Sequence, residues 1–225
     1  ATKWTEPALA FGATQLAIGG RGVNERWIPL DVADCDPNPF VQFRRWFDEA
    51  LGHVREREAI ALVTATRDAR PSVRMVLLRH VDETSFGWFT NYESRKAREL
   101  EENPHAAILW YCEPLGRQIR VEGVVEKMSS AASDQYFASR PRGHQIGAHA
   151  SHQSQPLATR ADLEGRVADL ERRYEGVEID RPENWGGYTL NPSIFEFWQH
   201  RQDRLHDRVL YWFDAGQWRR ERLYP

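Results

Sequence analysis

The chain has 225 residues, of which 41% are hydrophobic and 28% charged, and its formal net charge is −3. This composition is typical of an ordinary soluble protein with one large or two small domains, and it gives no indication of a nucleic-acid or membrane partner. Two cysteines without metal-ligand spacing, Cys35 and Cys112, indicate no metal site and a reducing, cytoplasmic location.

The N-terminal region differs in pattern from the rest of the chain. Residues 1–38 contain scattered glycines and prolines and no sustained apolar periodicity. We therefore expect them to form an arm or lid, and we place one domain over residues 39–225. Apolar residues recur at helical spacing over residues 40–51, which predicts a helix at the start of this domain.

Short strands dominate the remainder of the chain. Apolar runs at 59–66 and 73–80 flank a polar turn and predict a hairpin. Further strands are predicted at 86–90, 106–112, 118–127, 194–199, 208–213 and 218–223, and helices at 94–102, 130–139 and 159–174. Because short connections join most strands, the pattern favours a mainly β (α+β) fold, an antiparallel barrel with peripheral helices.

Basic residues recur at positions where local structure gives them no partner. Arg74 and Arg79 border a strongly apolar strand, where each needs a phosphate or a carboxylate as partner, and this stretch alone favours a structural ion pair. Their odd spacing points them to opposite faces unless the strand bends. Arg95 and Lys96 lie in the first turn of a predicted helix, where positive charge opposes the helix dipole. This first turn is therefore either an anion site or a solvated basic turn.

Two later segments carry a similar signal. Residues 140–148 place two arginines, a histidine and two glycines in a predicted loop, which indicates an anion site or a solvated surface loop. Arg204, His206 and Arg208 alternate, so on an extended segment they would share one face. An anion, an electron-rich ring or the neighbouring aspartates would then have to offset their repulsion. The recurrence of basic segments along the chain is better explained by two phosphates bound in one pocket than by a single phosphate.

A set of sequence strings resembles pyridoxine/pyridoxamine 5'-phosphate oxidases, in order and at similar spacing. The strings are RMVLL, FTN-x-x-SRKA, RQIRVEG, YFASRPR-x-x-QIGA, S-x-QS, WGGY, EFWQ and RLHDR. The resemblance implies an FMN-binding split β-barrel and a homodimer with FMN at the subunit interface. It also implies that O2 oxidises a phosphorylated pyridine substrate, pyridoxine or pyridoxamine 5'-phosphate, to pyridoxal 5'-phosphate with release of hydrogen peroxide.

The resemblance also implies the site residues. The FMN contacts would be Arg74, Met75, Val76, Leu77, Leu78, Phe89, Thr90, Arg95, Lys96, Gln118, Gln153, Ser154, Trp198 and Arg208. The substrate phosphate would lie among Arg79, Tyr136, Arg140 and His144. Arg204 and His206 would flank the pyridine ring as the catalytic pair, while the flavin itself supplies the redox chemistry.

Two pocket positions depart from the family pattern. Arg79 replaces the usual Lys, and His144 replaces the usual Ser of the phosphate pocket. In addition, residues 1–38 contain no clear match to the arginine-rich arm of the family. Two alternatives therefore stay open: an FMN-dependent oxidase of another ring substrate, as in phenazine biosynthesis, and a non-catalytic flavin- or pyridoxal-phosphate-binding protein.

Overall fold

The structure, a computed structural model, describes residues 28–225. Its strands are β1 (Ala59–Ala65), β2 (Pro71–Leu77), β3 (His80–Val81), β4 (Phe86–Asn91), β5 (His105–Cys112), β6 (Arg117–Lys127), β7 (Trp185–Gln199), β8 (Asp207–Asp214) and β9 (Gln217–Leu223). Its helices are α1 (Pro39–Glu49), α2 (Arg95–Glu102), α3 (Ser130–Ser139), α4 (Arg142–Ala150) and α5 (Arg160–Arg173).

The strands form one antiparallel sheet in the order β2-β1-β5-β6-β7-β4-β3. From this path β8 continues on β7, and β9 pairs with β8. The end strand β2 also contacts β4, so the sheet curls into a half-barrel. The predicted mainly β, antiparallel fold with peripheral helices is confirmed. Within residues 28–225, no helix is long and apolar enough to cross a bilayer.

Helix α1 fills the concave side of the sheet. The side chain of Asn38 caps its first turn by accepting a hydrogen bond from the backbone N–H of Phe40. Phe43 of this helix meets Phe86 edge-to-face at 4.8 Å, and Trp46 meets Phe197 at 5.3 Å between ring centroids. Burying each such side chain contributes about 1.5–3 kcal/mol, so many of the aromatic residues serve the core.

Residues 28–38 contain no helix or strand, but they pack against the barrel. Leu30 and Cys35 are buried. The backbone N–H of Leu30 donates to Asp207 Oδ2 at 3.1 Å, and Arg222 donates to Asp207 Oδ1 at 2.9 Å and to the Leu30 carbonyl at 3.2 Å. This network ties the segment to β8 and β9. The rest of the predicted arm, residues 1–27, lies outside the described residues.

Three parts of the predicted secondary structure differ from the structure. Residues 140–148 were expected to form a loop, but most of them belong to α4, which buries Ile146 and Ala150. Arg204, His206 and Arg208 do not share an extended segment, because the chain turns at Gln202–Arg204, where Asp203 and Arg204 have positive φ values of +56° and +60°. Strand β7 is also longer than predicted, since it begins at Trp185 rather than at residue 194.

Candidate active site

A cavity of about 1100 Å³ lies alongside β2. Residues 72–77 of β2 form one wall, and the other walls come from the end of β4, the first turn of α2, the end of α3 and one side of α4. Among the described strands, β2 pairs only with β1, so its other edge carries backbone groups without a strand partner. The volume suits a cofactor together with a small substrate.

Most residues in the predicted flavin and phosphate sets line this cavity. From the flavin set they are Arg74, Met75, Val76, Leu77, Phe89, Thr90, Arg95, Lys96, Gln153 and Ser154. From the phosphate set they are Arg79, Tyr136, Arg140 and His144. Leu78 differs, because its side chain is buried in the core and does not line the cavity.

A bend in the chain brings Arg74 and Arg79 to the same cavity despite their odd spacing. Strand β2 ends at Leu77. The backbone N–H of Arg79 then donates to the carbonyl of Gly87 at 2.8 Å, which redirects the chain toward β4. The alternation rule therefore stops applying before Arg79 is reached.

Arg74, Arg95 and Lys96 form the first cationic group, at the first turn of α2. Lys96 is 7% exposed, and its Nζ donates to Thr90 Oγ1 at 3.0 Å and to Gln153 Oε1 at 2.8 Å. Burial, followed by the nearby charge of Arg74, lowers the pKa of Lys96 to about 8. Lys96 Nζ also donates to Ser94 Oγ at 3.2 Å, and because none of these three acceptors is charged, this ammonium favours an incoming anion.

The loop after α4 completes the N-terminus of α2. Ser94, the residue before the helix, makes no side-chain cap. Instead Ser154 Oγ accepts the backbone N–H of Arg95 at 3.1 Å. Ser154 has a φ of +70°, a strained conformation for a residue with a side chain. The fold thus holds Gln153 and Ser154 against the cationic group at some conformational cost.

Arg140 and Arg79 form the second cationic group. The Arg140 guanidinium carbon lies 4.5 Å from the Trp185 ring centroid, and Phe89 and Tyr136 stack at 3.8 Å nearby. Arg140 Nη1 is buried without a hydrogen-bond partner, and within residues 28–225 no carboxylate pairs with either arginine. Burial, followed by the charge of Arg79, lowers the pKa of Arg140. Two arginines without counter-charge make a strong anion site.

The other predicted site residues lie away from this cavity in the single subunit. Gln118, Trp198 and Arg208 are opposite one another on β6, β7 and β8, and we call them the cross-strand row. His206 packs on Trp198 with 4.4 Å between ring centroids. Burial, followed by the charges of His200 and Arg204, lowers the pKa of His206, which favours its neutral form.

The charge of Arg208 in the cross-strand row is offset by Glu196 and not by a neighbouring aspartate. Arg208 Nε donates to Glu196 Oε1 at 2.8 Å, and the other oxygen of Glu196 lies 2.8 Å from Arg120 Nη2. Asp207 pairs with Arg222 at 2.9 Å and with Arg201 at 3.6 Å, and its charge opposes the lowering of the His206 pKa.

Sequence reasoning did not select two residues that support the cationic groups. Trp185 lies under Arg140 and opens the WGGY string. Glu99 pairs with both Arg95 and Arg74. The spacing of Arg95 and Glu99, four residues apart on a predicted helix, was the available signal for the second residue.

Comparison with known families decides the membership of this chain. Residues 47–174 match the model described as pyridoxamine 5'-phosphate oxidase. The chain belongs to the pyridoxamine 5'-phosphate oxidase family. Residues 185–225 match the pyridoxine 5'-phosphate oxidase C-terminal dimerisation region, which includes most of the cross-strand row. The predicted family is confirmed, and this family member is an oxidoreductase.

Individual relatives agree with this assignment. The chain is 53% identical over 192 residues to a pyridoxine/pyridoxamine 5'-phosphate oxidase of Rubrobacter xylanophilus, covering 85% of this chain and 88% of the relative. It is 50% identical over 198 residues to the pyridoxine/pyridoxamine 5'-phosphate oxidase of a Janthinobacterium species, covering 87% of this chain and 93% of the relative.

Two solved structures share the fold. PhzG from Burkholderia lata 383, in complex with tetrahydrophenazine-1-carboxylic acid, superposes with a TM-score of 0.83 at 33% identity, covering 89% of this chain and 100% of that one. A pyridoxamine 5'-phosphate oxidase-related, FMN-binding protein of Nostoc punctiforme superposes with a TM-score of 0.65 at 20% identity. The match covers 81% of this chain and 97% of that one. The predicted split-barrel fold is therefore confirmed.

Proposed function

We propose that this chain is an FMN-dependent oxidase that converts pyridoxine and pyridoxamine 5'-phosphates to pyridoxal 5'-phosphate, with O2 as electron acceptor and hydrogen peroxide as product. The observation that carries this proposal is the presence of two separate cationic groups in one cavity. One group suits the phosphate of FMN, and the other suits the phosphate of the substrate. Relatives at 53% and 50% identity carry this activity in their names.

The first cationic group suits the phosphate of the flavin. Arg74, Arg95 and Lys96 supply positive charge beside the N-terminus of α2, whose backbone N–H groups also favour an anion. The flavin is assigned one cationic group, which suits one phosphate, and the sequence contains no Gly-x-Gly-x-x-Gly dinucleotide fingerprint. Both features favour FMN over FAD. FMN when bound supplies a ring that accepts hydride, and the protein supplies orientation and electrostatics.

The second cationic group suits the phosphate of the substrate. Arg79 and Arg140 each offer a planar fork that takes two phosphate oxygens, where a lysine offers a point charge. His144 on α4 and the Tyr136 hydroxyl line the same part of the cavity and add hydrogen-bond donors. The departures at residues 79 and 144 thus preserve a phosphate pocket with different donors.

A homodimer would unite the two parts of the predicted site. The cross-strand row and His206 lie away from the cavity in one subunit, so a second copy must bring its row to the flavin. Met75, which lines the cavity, is 63% exposed, and Tyr111 on β5 is 51% exposed. Apolar surface of this kind favours association, and Arg204 and His206 of one copy would then flank the pyridine ring.

The competing activity is oxidation of a phenazine-type ring, which the PhzG structure favours. Its ligand is named as a carboxylic acid, which carries one negative charge. The uncompensated pair Arg79 and Arg140 suits the greater charge of a phosphate better. The two relatives named as pyridoxine/pyridoxamine 5'-phosphate oxidases are also more similar in sequence than PhzG.

The proposal is tested by assaying hydrogen peroxide formation with a substrate panel. We expect turnover with pyridoxamine or pyridoxine 5'-phosphate and little with the unphosphorylated vitamers, because these cannot engage the second cationic group. Turnover of a dihydrophenazine carboxylate alone would favour the competing oxidase. A protein that binds flavin but turns over no member of the panel would indicate a carrier.

A further inference from the structure

Glu99 links two arginines of the first cationic group without reaching the cavity itself. It lies on α2, is 3% exposed and does not line the cavity. Its Oε1 accepts a hydrogen bond from Arg95 Nε at 2.8 Å, and its Oε2 accepts one from Arg74 Nη2 at 3.3 Å. One carboxylate therefore bridges an arginine on the helix and an arginine on strand β2.

Two hydroxyls fix this carboxylate from the β1–β2 side. Ser72 Oγ donates to Glu99 Oε2 at 2.5 Å, and Thr64 Oγ1 donates to the same oxygen. Burial raises the pKa of Glu99, but hydrogen bonds from Ser72, Thr64 and Arg95 outweigh burial and lower it to about 2. The group is therefore a carboxylate throughout the working pH range.

The same hydroxyls hold Arg74. Its Nη1 donates to Thr64 Oγ1 at 2.6 Å and to the Leu62 carbonyl at 3.2 Å, while its Nη2 donates to Ser72 Oγ and Glu99. A long arginine side chain otherwise loses substantial rotamer entropy when it binds a ligand. With these contacts, most of that loss occurs on folding instead of on ligand binding.

We propose that Glu99 is a positioning residue, which holds Arg74 and Arg95 in the arrangement that binds the phosphate of the flavin. This inference rests on the proposed FMN site. Glu99 also sets the net charge of the first cationic group. The three cations Arg74, Arg95 and Lys96 and the one carboxylate of Glu99 together carry a net charge of +2. That value matches the dianion of a phosphate monoester above pH 7.

A positioning role and a purely electrostatic role for Glu99 predict opposite changes in FMN affinity when Glu99 is replaced by a neutral residue. If Glu99 only reduces the positive potential, Glu99→Gln should make the flavin phosphate bind more tightly. If Glu99 holds the two arginines, the same substitution should weaken binding, because an amide oxygen accepts less strongly and the amide NH2 repels a guanidinium. The sign of the change therefore separates the two roles.

The test compares FMN with riboflavin, which has the same ring and no phosphate. Apo-protein of the parent and of Glu99→Gln is titrated with each flavin while flavin fluorescence is followed. We expect the variant to bind FMN at least about tenfold more weakly and riboflavin within about twofold of the parent. Glu102→Gln, the same change at an exposed position of the same helix, should leave both affinities unchanged.

A second variant covers the case in which Glu99→Gln does not fold. Thr64 lies behind Glu99, is 1% exposed and does not line the cavity. Thr64→Val keeps the side-chain shape and removes one hydroxyl from both Glu99 and Arg74, so FMN should bind about threefold more weakly with riboflavin unchanged.

Three results would overturn the inference. Tighter or unchanged FMN binding in the folded variants would remove the positioning role and leave the flavin proposal standing. Equal losses for FMN and riboflavin would indicate general damage to the fold instead of positioning. Failure of the parent itself to bind FMN would overturn the flavin proposal and this inference with it.

Discussion

The guanidinium of Arg140 lies 4.5 Å from the centre of the Trp185 ring, and its Nη1 is buried without a hydrogen-bond partner among residues 28–225. A buried cation costs free energy unless an anion offsets it. Stacking on an indole returns only about 0.5–2 kcal/mol. The buried position of Arg140 is therefore better explained by binding of a ligand anion than by a contribution to the stability of the free protein.

Substitution of Arg140 should affect substrate affinity alone. We expect Arg140→Ala to raise KM for pyridoxamine 5'-phosphate by about 10- to 150-fold, from the loss of roughly 1.5–3 kcal/mol for one charge-assisted contact. FMN content should stay at the parent level. The matched control is Arg142→Ala, since Arg142 donates to the carbonyls of Tyr174 and Val177 and does not line the cavity. Loss of FMN from the Arg140 variant would place this residue in the flavin site instead.

His144 should act on the same phosphate. It stands on the first turns of α4, where its imidazole lines the cavity. We expect His144→Ala to raise KM for pyridoxamine 5'-phosphate by about 10- to 150-fold while FMN content is unchanged. Steady-state kinetics and flavin absorbance measure the two quantities. A variant with the kinetics of the parent would show that His144 makes no contact with substrate.

Lys96 should make FMN binding depend on pH. Its pKa is lowered to about 8 in the flavin-free site, and a bound phosphate favours the ammonium and raises that pKa. FMN affinity should therefore be constant from pH 7 to about 8 and then fall by up to about tenfold per pH unit. Titrations of apo-protein at several pH values measure this, with riboflavin as the phosphate-free control.

The conservative variant Lys96→Arg isolates the cause of this pH dependence. Arginine stays protonated over this range, so the fall above pH 8 should disappear. A parent protein whose FMN affinity is flat up to pH 9.5 would contradict the role given to Lys96.

Tyr111 should control assembly of the site from outside the cavity. It is 51% exposed on β5, lies opposite Gln118 of the cross-strand row and does not line the cavity. Tyr111→Asp should leave the subunit folded but place an unpaired charge in the proposed dimer interface, giving a monomer with at least tenfold weaker FMN binding. Light scattering and flavin titration measure both effects. The control is Leu157→Asp, at a residue 50% exposed before α5, and a dimeric Tyr111 variant would argue against this interface.

The secondary structure was predictable where periodicity was strong and not where glycines interrupt it. The β1–β2 hairpin and the capped helix α5 follow from local pattern. The first half of β7 was missed because glycine and proline disfavour strands. The structure shows why glycine is required there: a Cβ on Gly186 would lie 2.1 Å from Tyr92 Oη, and one on Gly187 would lie 2.3 Å from Met128 Sδ. Helix α4 was missed for the same reason, since packing of Ile146 and Ala150 overrides two glycines.

Most of the predicted flavin and phosphate residues line one cavity, but the geometry of that cavity was not predictable from the sequence. Local reasoning drew attention to the cations at 74, 79, 95, 96 and 140, because they border an apolar strand, lie in the first turn of a predicted helix or belong to a basic segment. It gave no means to place Trp198 and Arg208 outside the cavity, since their position depends on strand order and on the 3-10 turn before β8. It also missed Glu99, because only the fold brings this carboxylate to Arg74 across 25 residues of sequence.

The most direct test of the central claim is anaerobic mixing of the purified, flavin-loaded protein with pyridoxamine 5'-phosphate while the flavin absorbance near 450 nm is followed. If the protein oxidises this substrate, the yellow absorbance should disappear with a stoichiometry of about one substrate per flavin, and it should return with hydrogen peroxide when O2 is admitted. An absorbance that persists while the substrate is bound would contradict the proposed oxidase activity.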